Sequence, residues 1–135
     1  MPIVSLLRRC VCALPPAALC LLLLSLPAMG RDISVNDATA LLRNPPEGLV
    51  IVDVRTPEEF RQGHLPGAQN LDFFGASFEN RIRALPGDRT ILLYCRTGNR
   101  SASAYDMMEQ AGVTNILHMR EGLTGWQKAG LPLEK

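Results

Sequence analysis

The chain has 135 residues, of which 47% are hydrophobic and 20% charged, and its formal net charge is +1. This length has room for one compact domain, which we expect to be monomeric. The near-neutral charge predicts neither a nucleic-acid partner nor attraction to anionic membranes, so any anion must be bound by locally placed groups.

The first thirty residues differ in composition from the rest. Two adjacent arginines precede an almost wholly apolar run over 10–26, and the small residues Ala28 and Gly30 follow it. This order is typical of a secretory signal peptide, here cleaved after Gly30. An uncleaved membrane anchor is the alternative, but a spanning helix needs about 20 apolar residues, and two prolines interrupt this shorter run. We expect 1–30 to be a signal peptide and 31–135 a single domain, periplasmic or secreted, without stable membrane association after cleavage.

The same cleavage would leave a single cysteine. Three of the four cysteines precede residue 31, and the fourth is Cys95. Small exported domains commonly pair their cysteines in disulfides, which Cys95 cannot do within the mature chain. Its thiol is therefore either buried and inert or kept free for chemistry.

The remainder of the chain alternates short apolar runs with helical patterns, which is typical of an α/β domain with a parallel sheet. We predict strands at 33–35, 49–54, 68–71, 90–94 and 115–118. We predict helices at 36–43, between 56 and 63, and at 74–85, 101–110 and 124–129.

Two of the helix starts are indicated by capping residues. Asn36 is predicted to cap the first helix. Thr56 is predicted to cap the second, because Pro57 suits the first helical position and Glu59 completes a capping box. Gly63 then ends that helix.

The loop after the fourth predicted strand has the features of an anion-binding site. Cys95 lies at the carboxyl end of that strand, the edge at which open α/β sheets bind ligands. Gly98 allows a positive φ, and successive amides of a loop entering a helix, which Ser101 is predicted to cap, can point at one centre. Arg96 and Arg100 add positive charge, so we expect Cys95 to be a thiolate at neutral pH. Such a thiol suits a phosphatase, a peroxidase-like enzyme or a sulfur carrier.

Four motifs along the chain resemble those of the rhodanese-type sulfurtransferases. The active-site loop of that family is similar to CRTGNRS at 95–101, and its early strand-to-helix motif to VDVRTPEEF at 52–60. Its turn and its ending are similar to GHLPGA at 63–68 and to GLTGW at 122–126, which GLP at 130–132 follows. The leader makes the chain similar to small, single-domain periplasmic members.

The resemblance implies an α/β, three-layer fold with a five-stranded parallel sheet flanked by helices. It implies a sulfurtransferase in which Cys95 takes a sulfane sulfur from an anionic donor such as thiosulfate, becomes a persulfide, and passes the sulfur to cyanide or a thiol. No cofactor or metal is needed for this chemistry. The predicted substrate-binding residues are Arg96, Thr97, Gly98, Asn99 and Arg100.

Two other functions are compatible with the sequence. The loop reads C-x4-R from Cys95 to Arg100, whereas the related phosphatases use C-x5-R, so by resemblance the smaller loop suits a sulfane sulfur better than a phosphoryl group. A non-catalytic rhodanese-like module for binding or stress response is the second alternative. Such modules often lack the cysteine that this chain retains.

Several further polar residues are expected to be structural. Asp53 and Arg55 are predicted to take part in an ion pair or hydrogen-bond cluster in which Arg55 meets either Glu59 or Asp53, and His118 ends a strand without an indicated partner. The family often has two glycines where this chain reads Glu121-Gly122, and we expect Glu121 to point to solvent rather than to the mouth of the site.

Overall fold

A computed structural model describes residues 31–135. The predicted signal peptide and the alternative membrane anchor therefore lie outside the described residues. Five parallel strands form one sheet in the order β1-β5-β4-β2-β3. The strands are β1 (Arg31–Ile33), β2 (Val50–Asp53), β3 (Gln69–Asn70), β4 (Ile91–Tyr94) and β5 (Ile116–Met119). The helices are α1 (Val35–Arg43), α2 (Pro57–Gln62), α3 (Phe78–Arg83), α4 (Asn99–Gln110) and α5 (Gly122–Lys128).

The helices cover both faces of the sheet, as the alternation of side chains along a strand requires. One apolar core joins Leu93 and its neighbours to α3 and α4, and the other joins Leu92 to α1 and α5. Trp126 is buried in the second core, where its indole N–H donates to the carbonyl of Pro132 at 2.9 Å. The predicted five-stranded parallel sheet flanked by helices is confirmed. Among residues 31–135, no helix is both long and apolar enough to cross a membrane.

The second helix begins as its sequence predicts, whereas the first strand and the cap of the first helix lie at other residues than predicted. Thr56 accepts from the Glu59 amide while the Glu59 carboxylate accepts from the Thr56 amide, so the predicted capping box is confirmed. The prediction that Asn36 caps α1 is wrong, because Ser34 caps it through a reciprocal box with the residue three positions on. The first strand accordingly ends at Ile33.

Three other helices also differ from the prediction in where they begin or end. The helix expected over 74–85 is limited to 78–83, because 73–77 forms turns. The helices expected from 101 and 124 each begin two residues earlier, at Asn99 and Gly122. Gly98 precedes α4 and Gly122 opens α5; both have positive φ, and neither helix has a side-chain hydrogen bond at its cap.

The predicted pair of Asp53 and Arg55 is buried at the carboxyl end of β2. The Arg55 guanidinium lies 2.6 Å from the Asp53 carboxylate and donates to the carbonyl of Gly63 at 2.7 Å. Both side chains are at most 4% exposed. The pair therefore ties β2 to the end of α2 in the structural role that the sequence predicts.

The loop after β4 is fixed against the start of α5. The amides of Leu123 and Thr124 donate to the carbonyls of Cys95 and Arg96 at 2.9 and 3.0 Å. Gly122 allows this approach, since it has a φ of 60° and a Cβ there would lie 2.4 Å from the Arg96 carbonyl oxygen. A residue with a side chain at 122 would therefore push the two segments apart.

Replacing Gly122 by alanine should destabilise the fold more than the same change at Gly112. Both residues have positive φ, but a Cβ at Gly112 meets nothing within 4 Å, so Gly112→Ala adds only backbone strain. Gly122→Ala adds a clash with backbone atoms, for which we expect a further loss of about 1–3 kcal/mol in the free energy of unfolding. Urea denaturation of both variants measures the difference, and equal losses would contradict the close packing at Gly122.

A second tie joins α2 to α4 and should make stability depend on pH. Arg100 donates to both carboxylate oxygens of Glu59, at 2.7 and 2.9 Å. The hydrogen bond from Arg100 lowers the pKa of Glu59 to about 2, against the opposing effect of burial. Because the folded pKa lies below the unfolded value of about 4.3, the ion pair stabilises the protein above that pH and loses its effect as pH falls towards 2.

Glu59→Gln should therefore remove stability at neutral pH and flatten its decline in acid. Glutamine can still complete the capping box with Thr56, so the change isolates the charge. We expect a loss of about 1–2 kcal/mol at pH 7, given that both side chains retain some contact with solvent. Unfolding measured from pH 7 to 2, with the exposed Glu58→Gln as control, checks this. Parallel wild-type and Glu59→Gln profiles would show that the ion pair contributes nothing.

Candidate active site

The Cys95 thiol is buried at the carboxyl end of β4. Strand pairing sets Asp53 of β2 opposite Tyr94 and His118 of β5 opposite Leu93, so three strand ends meet beside it. Cys95 is 1% exposed and packs in the same core as α3 and α4. Its Sγ accepts hydrogen bonds from the Gly98 amide at 3.1 Å and from the Ser101 hydroxyl at 3.3 Å.

These donors favour the thiolate. Burial raises the pKa of Cys95, but hydrogen bonds from the Ser101 hydroxyl and from the amides of Ser101, Thr97 and Gly98 outweigh it, and the net pKa is lowered. The largest lowering effects are thus hydrogen bonds, of which the sequence predicted the loop amides but not the Ser101 hydroxyl. A thiolate held in this way is a nucleophile that needs no further base at the moment of attack.

Gly98 shapes the loop that supplies the amides. It has a φ of 94°, and a Cβ there would lie 2.3 Å from the carbonyl oxygen of Arg120. This left-handed turn directs the first amides of α4 towards the sulfur. The prediction that Ser101 caps α4 is wrong: Gly98 takes the cap position, and Ser101 lies buried inside the first turn with its hydroxyl facing Sγ.

The two predicted arginine clamps have different surroundings. Arg100 is paired with Glu59, and this hydrogen bond raises the pKa of Arg100, with a smaller contribution from the charge of Cys95. Arg96 is exposed and makes no ion pair within the described part of the chain. It lines a pocket of about 170 Å³ whose wall also includes Arg55, Glu59 and Leu123. Arg96 is therefore the cation left available beside the loop.

The other predicted binding residues contribute through the backbone. Thr97 and Asn99 are exposed, and the structure places no side-chain hydrogen bond from either on the sulfur. The amides of Thr97 and Gly98 do stabilise the thiolate. Over residues 31–135, no cluster of three or more histidine, cysteine or carboxylate side chains is arranged to hold a metal ion.

The sequence did not reveal the partners of Ser101. Its Oγ lies 2.8 Å from Nε2 of His118, and Nδ1 of the same ring lies 3.1 Å from the Asp32 carboxylate. Asp32 also accepts from Arg120 at 3.2 Å. The parallel pairing of β1 with β5 sets Asp32 opposite His118. Because these residues are 86 positions apart, no local sequence pattern indicates the contact.

Glu121 was predicted to point to solvent, but its carboxylate is hydrogen-bonded to the protein. Its Oε1 accepts from the amide of Val35 at 3.0 Å, although the residue as a whole is exposed. Because Val35 is the first residue of α1, the carboxylate satisfies a helix amide that has no intrahelical partner. The residue that replaces the usual glycine thus joins the start of α5 to α1.

Comparison with known proteins agrees with this arrangement. The model of the rhodanese-like domain matches residues 34–129. A sulfurtransferase of Allochromatium vinosum is 37% identical over 87 residues, covering 64% of this chain and 79% of that protein. Thiosulfate sulfurtransferase 16, chloroplastic, of Arabidopsis thaliana is 37% identical over 91 residues, covering 60% and 76%. Other curated relatives are longer, and this chain spans only 57%, 45% and 21% of three of them.

A solved structure is similar over nearly the whole described domain. The rhodanese-related protein from Thermoplasma volcanium has a TM-score of 0.67 and 26% identity, covering 77% of this chain and 97% of that chain. The family model includes the Cys95 loop, both glycines that shape it and most of the sheet. The chain belongs to the rhodanese-like domain family.

Proposed function

We propose that the protein is a sulfurtransferase that moves a sulfane sulfur from an anionic donor such as thiosulfate to a thiophilic acceptor, cyanide or a thiol, through a Cys95 persulfide. The observation that carries this proposal is the convergence of amide and hydroxyl donors on Sγ, which lowers the pKa of Cys95 despite its burial. The similarity to proteins named sulfurtransferases supports the same reaction.

In the first step, the Cys95 thiolate attacks the outer sulfur of thiosulfate. A new S–S bond forms, the S–S bond of the donor breaks, and its electron pair leaves on sulfite. The donor is a dianion, so a free cation at the approach lowers the energy of bringing it to a thiolate. Arg96 is placed to supply this charge, since it lines the pocket beside the loop and lacks an ion-pair partner in the described region.

In the second step, the acceptor takes the outer sulfur of the persulfide. The nucleophile forms a bond to that sulfur, the persulfide S–S bond breaks, and the electron pair returns to Cys95 as a thiolate. The amides that stabilise the thiolate also face the persulfide, because Gly98 fixes their direction. Neither step requires a metal, an organic cofactor or a net redox partner.

We also propose that the mature domain acts as a monomer in the periplasm or outside the cell, without stable attachment to the membrane. The composition of residues 1–30 supports export, and the size of the remaining domain supports a monomer. Its partners are then small: a sulfur-donating anion and an acceptor thiol or cyanide.

A non-catalytic binding module is the second candidate. The observation in its favour is the 1% exposure of Cys95, which a small inert core residue would also have. Against it, an inert thiol has no need of two hydrogen-bond donors directed at Sγ. The two functions differ in whether Cys95 can carry a sulfur atom.

Incubation with thiosulfate should add one sulfur atom to the protein. Intact-mass measurement should show this gain in the wild type and no gain in Cys95→Ala, because the other three cysteines precede residue 31 and lack the loop. Cyanide should then return the mass to its starting value and release thiocyanate. A wild type that gains no sulfur from thiosulfate or from other sulfane donors would favour the binding module.

Arg96→Ala should weaken donor binding more than Arg100→Ala. We expect the KM for thiosulfate to rise about tenfold in Arg96→Ala with a smaller change in kcat, since one charge-assisted contact to the donor is lost. Arg100→Ala should mainly reduce stability, because its charge is already shared with Glu59. Arg81→Ala, which removes an exposed charge from α3, is the control. Identical kinetics in Arg96→Ala and wild type would refute the role of Arg96.

A further inference from the structure

Three consecutive hydrogen-bonded contacts connect the sulfur of Cys95 to a carboxylate on β1. The Ser101 Oγ lies 3.3 Å from Sγ and 2.8 Å from Nε2 of His118, and Nδ1 of His118 lies 3.1 Å from Oδ1 of Asp32. Cys95, Ser101 and His118 are all buried, whereas Asp32 is exposed. The connection therefore runs from the interior of the site to the surface.

The fold holds each member of this series in place. Ser101 lies in the first turn of α4, which Gly98 sets at the end of β4. His118 is the third residue of β5, and the β1–β5 register places Asp32 directly opposite it. Three elements, β1, α4 and β5, thus meet at these side chains.

The chemistry of the groups fixes where the protons lie in the resting state. A carboxylate only accepts hydrogen bonds, so the Nδ1 that faces Asp32 carries a proton and donates it. Burial and the charge of Arg120 lower the pKa of His118, against an opposing effect of Asp32, so the ring is neutral near pH 7. While Cys95 is a thiol, Nε2 accepts the Ser101 hydroxyl proton; once Cys95 is a thiolate, the hydroxyl of Ser101 donates to Sγ instead.

We propose that Ser101, His118 and Asp32 form a proton relay that converts the Cys95 thiol to its thiolate. The S–H bond breaks and leaves its electron pair on sulfur, Ser101 receives that proton on Oγ, and the original hydroxyl proton of Ser101 passes to Nε2 of His118. The product is a thiolate and an imidazolium with no change in total charge. Asp32 stabilises the imidazolium through Nδ1. The relay would prepare Cys95 for sulfur transfer, so its biological role rests on the proposed function. The ionisation of Cys95 itself can be measured without any sulfur donor.

A pocket lined by both His118 and Asp32 gives the relay an exit to water. Its volume is about 450 Å³, and the imidazolium can release its Nδ1 proton there, on the side of the exposed Asp32, without passing the buried sulfur. The ring of Tyr105 lies 6.1 Å from that of His118. The charged and titratable groups around His118 are Asp32 from β1, Cys95 from the loop, Tyr105, Asp106 and Glu109 from α4, and Arg120 after β5.

A purely structural role for these contacts makes a different prediction. The Ser101 hydroxyl also lies 3.1 Å from the carbonyl oxygen of Gly98, so it could serve only to fix the first turn of α4. In that case, loss of His118 would alter stability but leave the ionisation of Cys95 unchanged. The readout that separates the two roles is the pH dependence of the thiol.

Alkylation of Cys95 by iodoacetamide as a function of pH tests the relay without any sulfur donor. His118→Gln keeps a hydrogen-bonding group beside Ser101 but cannot take up a proton, and Ser101→Ala removes the central group. We expect each to slow alkylation about tenfold at a pH below the thiol pKa, equivalent to a rise of about one pKa unit. The double variant should be no slower than Ser101→Ala, because the groups act in series.

A matched pair of variants distinguishes the relay from the effect of the overall negative charge of the pocket. Asp32→Asn and Asp106→Asn each remove one negative charge from the same pocket, but only Asp32 contacts His118. We expect Asp32→Asn to shift the alkylation profile and Asp106→Asn to leave it unchanged. Equal shifts in the two, or folded Ser101→Ala and His118→Gln proteins with wild-type profiles, would overturn the relay.

The coupling can also be observed in the protein with its relay intact. NMR titration of the His118 ring in the wild type and in Cys95→Ala measures this coupling. Cys95→Ala should lower the pKa of His118, because the thiolate no longer stabilises the imidazolium. An unaltered His118 titration would refute the relay. Sulfur-transfer failure with an intact relay would refute only the proposed function.

Discussion

A thiolate buried from water must receive its hydrogen bonds from the protein, and this requirement governs the architecture around Cys95. Removing an anion from water without replacement donors costs several kcal/mol. Here the donors are the loop amides and the hydroxyl of Ser101, which lower the thiol pKa although burial alone would raise it. The positive φ at Gly98 and the early start of α4 both serve to direct these donors at one atom.

The same requirement explains the close contact between the loop and α5. Amides at the start of a helix have no intrahelical acceptor. Here the amides of Leu123 and Thr124 donate hydrogen bonds to the carbonyls of Cys95 and Arg96. With its carbonyls engaged in this way, the loop is held with its own amides turned towards the sulfur. Gly122 is therefore as necessary to the site as Gly98, although it lies in another motif and never contacts Sγ. Glu121 extends the tie to the first amide of α1.

Features set by neighbouring residues were largely predictable from the sequence, whereas contacts between distant segments were not. The five-stranded parallel sheet, the capping box of Thr56 and Glu59, and the position of Cys95 at a strand end follow from periodicity and neighbouring residues, and these were predicted. The cap of α1 was misplaced because Ser34 and Asn36 are both competent caps, and only the reciprocal contact with the carboxylate three residues after Ser34 decides between them. The link from Ser101 through His118 depends on strand register, which no local pattern encodes.

The two pockets beside the site differ in charge, and this difference suits separate routes for the sulfur donor and for the thiol proton. The smaller pocket has two arginines, Arg55 and Arg96, and one carboxylate, whereas the larger one has three carboxylates, including Asp32, and a single arginine, Arg120. The pockets share no lining residue. A dianionic donor is attracted to the first and repelled by the second, whereas an imidazolium on His118 is stabilised by the second. Under the proposed mechanism, sulfur then enters on the side of the cation and the thiol proton leaves on the side of the carboxylates, so neither process blocks the other.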